Sequence, residues 1–404
     1  MMRILARRLS VLLLLLACAP ATAAPPAIPA PAPLSVGTIQ QNAIPGVLNF
    51  DPSRYQRAAR GFGGVVAGTR RMKIGIIGDS TTAGYGSTTG DGGYANMQPN
   101  TWPTRLAQLL GGEVAAATGF NGVSGGIAHA GYDPRMTFGT GWTDAGTRSL
   151  GGQAYFFPNG GGTAPLGWKP GNTFDHIRIW FANVPGNGLF STNVSGGTSL
   201  GTTNSGTGGG VGHVDYVASG GPTDTINIVP ANGQLNIFMI EAWNAAAPKV
   251  GVFNFAQNGA KVADYLDTIN AWSAKSAISA FSVVEPFDLW IVCLDINDSG
   301  QLTGVPAYQP NLTTLIQTLQ AAGGDVLLMG GTPSGGYEAN RPPYVAAEKA
   351  VALAFGIAFI DRVYLWTSYS AGNALGYYFS DGVHISAVGQ GAVARTVVDV
   401  LRRM

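Results

Sequence analysis

The stretch Lys73-Ile74-Gly75-Ile76-Ile77-Gly78-Asp79-Ser80-Thr81-Thr82-Ala83-Gly84-Tyr85-Gly86 decides how the rest of the chain is read. A short apolar run ends at Gly-Asp-Ser and gives way to small residues. Runs of this kind are strands buried on both faces of a parallel sheet. The end of such a strand delivers its side chains to the carboxyl edge of the sheet, where ligands bind in open α/β folds. Taken alone, the tripeptide reads equally well as a plain strand end. Ser80 acquires chemistry only if the chain also supplies a base, an orienting acid and donors for an oxyanion.

Working outward, residues 101–110 form a helix, with Pro103 in the first turn and Trp102, Leu106, Leu109 and Leu110 on one face; Gly111-Gly112 stops it. Between 120 and 249 helical periodicity vanishes. Short alternating runs, such as 176–181, 212–217, 225–229 and 236–240, are separated by turns rich in Gly, Ser, Thr and Asn. This spacing predicts an antiparallel sandwich or jelly roll, with 195–212 as a loop. After Lys249, strands are expected at 250–255, 287–294, 325–330 and 357–361. They alternate with helices at 261–281, 312–322, 342–355 and 386–402, a rhythm that predicts a three-layer α/β/α domain around a parallel sheet. The expected organisation is therefore one α/β domain in two parts, 71–119 and 250–404, interrupted by an inserted β-sandwich domain at 120–249.

The N-terminus reads as an export signal. Arg3, Arg7 and Arg8 precede an apolar run at 11–17, and Ala21-Thr22-Ala23 offers a cleavage site, which makes 1–23 a signal peptide. The run is too short for a permanent membrane span. Leu15-Leu16-Ala17-Cys18 also fits a lipoprotein box, so a lipid anchor on Cys18 stands as a second reading. Residues 24–70 are a Pro-rich linker and lead-in. Cleavage after Ala23 removes three arginines and no acid, moving the formal charge from +1 to −2. The mature chain is then expected outside the cytoplasm, secreted or periplasmic. Cys293 becomes its sole cysteine, buried in an apolar run and without a disulfide partner.

Charged residues make up only 11% of the 404 residues, and glycine numbers 59. Ordinary soluble domains carry roughly 25% charge, so this surface suits neutral polar partners such as glycans. No basic stripe marks a nucleic-acid partner. His129, His176 and His213 lack metal-ligand spacing, and neither a metal nor a cofactor is expected.

Each strand of the α/β part ends in polar or glycine-rich residues: Ser80 after the first; Asn254-Phe255-Ala256-Gln257-Asn258-Gly259-Ala260 after the second; Asp295-Ile296-Asn297-Asp298 after the third. Ser380-Asp381-Gly382-Val383-His384-Ile385-Ser386 precedes the last helix. Together these four blocks, in this order, resemble those of the SGNH hydrolases, the GDSL-type esterases and lipases, some of which are carbohydrate or peptidoglycan O-acetylesterases with such inserts. The resemblance implies a flavodoxin-like sheet, Ser80 as nucleophile, His384 as general base and Asp381 as its orienting acid. It also implies an oxyanion hole from the backbone N–H groups of Ser80 and Gly259 and the Asn297 side-chain amide. Phe120-Asn121-Gly122-Val123-Ser124-Gly125 is a rival second block; the strand before Gly259 and the helix after it favour Gly259. Thr81 stands where the family often has leucine, and Asp295 where it has glycine, a carboxylate expected to repel anionic substrates or tilt the loop.

The expected function is a secreted serine esterase acting on acyl esters, chiefly O-acetyl groups, of a carbohydrate. An exported O-acyltransferase using the same site, a lipase or polyester hydrolase, and a non-catalytic glycan-binding protein are the alternatives.

Overall fold

The structure is a computed structural model that describes residues 44–88, 96–118, 131–143, 148–160 and 162–404. The expected signal peptide, Cys18, residues 24–43 of the Pro-rich linker and lead-in, His129 and the rival block at 120–125 lie outside the described residues. The lead-in contributes β1 (Val47–Leu48) and the amphipathic α1 (Gln56–Val66), which packs on the sheet. Then come β2 (Met72–Gly78), the single turn α2 (Ser80–Ala83), α3 (Trp102–Leu109) and β3 (Glu113–Val114). α3 begins where the sequence places it, with Thr101 as N-cap accepting from the Thr104 N–H.

Ala115 is where the chain changes sheets. Beyond it lie β4 (Ala116–Thr118), β5 (Met136–Phe138), β6 (Arg148–Ser149), β7 (Gly152–Gln153), β8 (Tyr155–Phe157) and β9 (Leu166–Trp168). Next are β10 (Phe174–Asn183), β11 (Leu189–Val194), β12 (Gly201–Asn204), β13 (Gly210–Gly220), β14 (Ile226–Asn232) and β15 (Leu235–Trp243). They form two five-stranded antiparallel sheets and the separate two-stranded hairpin β6–β7. One five-stranded sheet has the order β13-β10-β15-β4 with β8 also on β15; the other has the order β12-β11-β14-β9-β5. Trp168, Phe190, Ile226 and Ile228 from one sheet share a core with Ile177, Ile179, Phe181 and Ile237 from the other. The stretch expected to be a loop, 195–212, carries β12, paired along β11 from Leu189↔Asn204 to Thr192↔Gly201. Its Gly- and Ser-rich composition conceals a strand whose side chains largely face solvent.

The remaining elements are β16 (Val250–Asn254), α4 (Ala274–Val284), β17 (Leu289–Cys293), α5 (Ile296–Gly300), α6 (Val305–Ala321) and β18 (Asp325–Met329). After them come α7 (Pro342–Phe355), β19 (Phe359–Ile360), α8 (Arg362–Trp366), α9 (Tyr369–Ala374) and α10 (Ala387–Leu401). The second sheet system is a seven-stranded one of order β1-β19-β18-β17-β2-β16-β3, parallel except for β1. α4, α6 and α7 bury Phe281, Leu315 and Val351 on the face that carries Ile77, Trp290 and Val292. α1, α3 and α10 cover the face of Ile74, Ile76 and Ile291. This is the expected mixed α/β arrangement around a parallel-rich sheet.

One expected helix is not continuous. Within 261–281 the chain makes a 3-10 turn, Val262–Leu266, then breaks before α4. Asp267 Oδ1 accepts from the Ile269 N–H at 2.8 Å and Ser273 Oγ from the Asn270 N–H at 3.0 Å. These short polar side chains offer the backbone local bonds that compete with the helix.

Candidate active site

β2 is flanked by β17 on one side and β16 on the other, and the carboxyl ends of these three neighbouring strands carry Ser80, Asn297 and Gly259. Strand order reverses about β2, the position at which open α/β sheets leave a crevice. At the end of β2, Asp79 caps α2. Its Oδ1 accepts from the Thr81 N–H at 2.8 Å and the Thr81 hydroxyl at 2.7 Å. Asp79 thus shapes the corner that presents Ser80, and burial pushes its carboxyl above the ordinary range.

His384 Nε2 lies 2.8 Å from Ser80 Oγ, and His384 Nδ1 lies 2.6 Å from Asp381 Oδ2. The acid and the imidazole come from one tight turn. Asp381 Oδ1 accepts from the backbone N–H groups of Val383 and His384, each at 2.9 Å, and the His384 carbonyl accepts from the Phe379 N–H at 2.9 Å. Gly382 adopts φ +70°, a left-handed conformation that glycine takes without strain. Burial alone would raise the Asp381 carboxyl; the ring and backbone donors of His384 and the Val383 N–H outweigh it and hold it at about 2. It is therefore ionised wherever an imidazole needs orienting. The Tyr85 ring sits 4.2 Å from the His384 ring, tilted by 50°.

The second and third blocks meet each other after β16 and β17. The Gln257 N–H donates to the Gly78 carbonyl at 2.9 Å, and the Tyr265 hydroxyl bridges the Gly78 and Phe255 carbonyls at 2.7 and 2.8 Å. Asn297 Nδ2 donates to the Ala260 carbonyl at 3.0 Å, leaving its second amide proton free to donate elsewhere. Among the described residues neither the Ser80 nor the Gly259 backbone N–H has an intramolecular acceptor. Three donors therefore belong to adjacent loops beside a serine hydroxyl that is hydrogen-bonded to an imidazole. Such an arrangement can remove the serine proton, and donors of this type stabilise a developing oxyanion.

Asp295 does not behave as the sequence suggested. It is 1% exposed and lies 2.5 Å from Arg341 Nη2, so its charge is matched by a buried guanidinium instead of facing a ligand.

Sequence reasoning missed several residues that hold the site. Gln390, fully buried on α10, donates to the Thr81 carbonyl at 2.9 Å and accepts from the Trp102 N–H at 2.7 Å. Gln257 donates from its side chain to the Leu150 carbonyl at 2.9 Å, joining the oxyanion-side loop to the β6–β7 hairpin. Its place within the second block was the only sequence signal. Cys293 is fully buried as expected, beside Arg362 Nη2 at 2.7 Å, and burial pushes its thiol up to about 12. No group of metal-ligating residues occurs among the described residues. No helix among them is long and apolar enough to cross a membrane.

Residues 221–392 match the model of the GDSL-like lipase/acylhydrolase family. Among solved structures, one titled as a peptidoglycan O-acetylesterase in action is similar over 88% of this chain and 99% of its own, at 17% identity and a TM-score of 0.65. The Bacillus subtilis protein YXIM (16% identity, 71% of this chain and 98% of its own) and a lipase/acylhydrolase from Enterococcus faecalis (21%, 38% and 77%) follow at TM-scores of 0.35 and 0.32. A search of curated proteins gives no significant match. At this identity the first similarity speaks for the fold alone, and it extends across both sheet systems. The family match spans the second, third and fourth blocks, so this stretch of the α/β part is similar to the GDSL-like lipases and acylhydrolases.

Proposed function

We propose that this hydrolase removes acyl groups, chiefly O-acetyl, from a carbohydrate or polysaccharide through an acyl-enzyme on Ser80. The Ser80–His384–Asp381 relay carries the reading. Ser80 Oγ attacks the ester carbonyl as His384 Nε2 takes its proton, and Asp381 steadies the imidazolium. The tetrahedral oxyanion is met by the Ser80 and Gly259 N–H groups and the Asn297 amide. Collapse breaks the bond to the sugar oxygen, which leaves with the proton from His384. Water, deprotonated by the same imidazole, then attacks the acyl-serine and releases the carboxylic acid and free Ser80.

Two observations support a glycan as the alcohol portion. The antiparallel strands between Ala116 and Trp243 form two sheets with a shared core, which we read as an inserted sandwich that presents substrate. The whole-chain similarity is to a protein titled as a peptidoglycan O-acetylesterase. Export through residues 1–23 fits such a substrate. The test is acetate release from a panel of acetylated glycans, with a glycan acceptor included to detect transfer. Acetate released by wild type and not by Ser80→Ala is expected. Labelling of Ser80 by a serine-directed phosphonate is expected too, and failure of labelling in folded protein would defeat the nucleophile assignment.

A further inference from the structure

We propose that Arg341 is a positioning residue for the oxyanion hole: through the Asp295 carboxylate it fixes the first turn of α5, and with it the Asn297 amide. This rests on the reading of Asn297 given above.

The residue that breaks the family pattern is Asp295. Asp295 has φ −170°, extended backbone that any residue adopts, so nothing in the chain path requires glycine there. Its carboxylate is buried, and an unpaired carboxylate in such a place is strongly destabilising. Arg341, 2% exposed, supplies the matching charge. The space for the carboxylate is made by Gly331, where an added Cβ would lie 1.8 Å from Asp295 Oδ1.

What Asp295 holds matters more than how it is held. Its carbonyl accepts from the Ser299 N–H at 2.8 Å and so begins α5. A helix of five residues has no cooperative stability of its own, and its position is set by contacts to other elements. α5 has three. Asn297 donates to the Ala260 carbonyl at 3.0 Å, Asp298 accepts from the Val262 N–H at 3.0 Å, and Asp295 meets Arg341. The first two reach the loop after β16, which carries Gly259. The third reaches the N-cap of the 14-residue α7, where the Arg341 carbonyl accepts from the Tyr344 and Val345 N–H groups at 2.9 and 3.0 Å. Arg341 is therefore an anchor that ties the Asn297 turn to a long helix. Groups that stabilise a transition state must be held within about 0.5 Å of their productive position, so loosening one of three ties acts on the transition state and not on ground-state binding.

A double-mutant cycle on acetyl ester hydrolysis tests this, with kcat and KM for 4-nitrophenyl acetate and thermal unfolding measured for each protein. Arg341→Met is expected to lower kcat by about 10- to 100-fold, with KM changed less than about twofold. In an Asn297→Ala background the same substitution is expected to change kcat less than about threefold, because the group it positions is gone. Equal losses in both backgrounds would overturn the proposal. So would a lower Tm with the kcat of the folded protein unchanged. Should Arg341→Met fail to fold, the isosteric Asp295→Asn takes its place in the cycle under the same criteria. Full kcat in Asn297→Ala alone would defeat the oxyanion role and this proposal together, while leaving Ser80 as nucleophile. Retained activity in Ser80→Ala would instead count against the nucleophile and be scored separately.

Discussion

Ser80, His384 and Asp381 are 304 and 3 residues apart in the pairs they form, and their distances make the first predictions. Ser80→Ala should fold and lose about 10⁴-fold or more in kcat, as removal of a nucleophile does in other serine hydrolases. Asn297→Ala should cost about 10²- to 10³-fold in kcat, with KM little changed. Steady-state kinetics on an acetyl ester checks both. The types and order of these residues were legible because Ser80 and Asn297 come just after apolar runs, where a strand and its carboxyl edge are adjacent in sequence, while Asp381 and His384 lie together just before the last helix. Arg341, Gln257 and Gln390 were not legible, since their partners lie 46, 107 and 309 residues away. An amide or guanidinium has no distinguishing local pattern, and only the contact gives it a role. Asp295 shows the same limit from the other side, because its departure from the family pattern was visible and its counter-charge was not.

At the level of the elements, α5 carries a pH-dependent cost. Burial raises the Asp298 carboxyl to about 6, against the Val262 N–H and the Thr303 side chain, which pull it down. The folded chain therefore binds a proton more tightly than the unfolded chain between the ordinary carboxylate value and about 6. That contribution is fully present below the ordinary value and is lost as pH rises through about 6. Asp298→Asn keeps an acceptor for Val262 and removes the charge. It should raise Tm at pH 7.5, with the gain disappearing toward pH 4; a gain equal at both values would contradict the assignment. The α/β rhythm that places α5 was readable from alternating apolar runs and amphipathic stretches. The break before α4 was not, because helix-compatible periodicity continues across Asp267, Asn270 and Ser273 while their side chains bond locally. The β12 strand was hidden for a related reason: solvent-facing pairs need no apolar alternation.

On the scale of the whole molecule, the two sheet systems are joined by charge at the edge opposite Ser80. Glu241 on β15 is fully buried and lies 2.9 Å from Arg71 and 3.7 Å from Lys73 on the β2 side, and its other oxygen accepts from Trp180 Nε1 at 2.6 Å. Glu285, after α4, pairs with Arg71 and, at 3.1 Å, with Arg178 on β10. Burial alone would raise the Glu241 carboxyl; Lys73 and Arg71 hold it below the usual range. Glu241→Gln leaves those cations under-compensated and should cost about 3–5 kcal/mol in urea unfolding. A change within ±0.5 kcal/mol, typical of surface substitutions, would show the network to be incidental.

β3 and β16 are parallel neighbours, with Glu113 opposite Gly251 and Val114 opposite Val252. A chain leaving β3 departs from the catalytic edge and must enter β16 from the far edge. Topologically, then, everything from Ala116 to Lys249 is one crossover connection, occupying the place where a helix ordinarily sits. It is moored at both edges of the sheet instead of hanging from a single stalk, so it has no one linker about which to swing. Its removal is correspondingly demanding. A tight reverse turn from Ala115 to Val250 cannot bridge the sheet, and such a deletion should yield no soluble enzyme. A replacement of about a dozen or more residues able to form a helix should restore the fold and turnover of small esters, which would make the antiparallel part an exchangeable cassette.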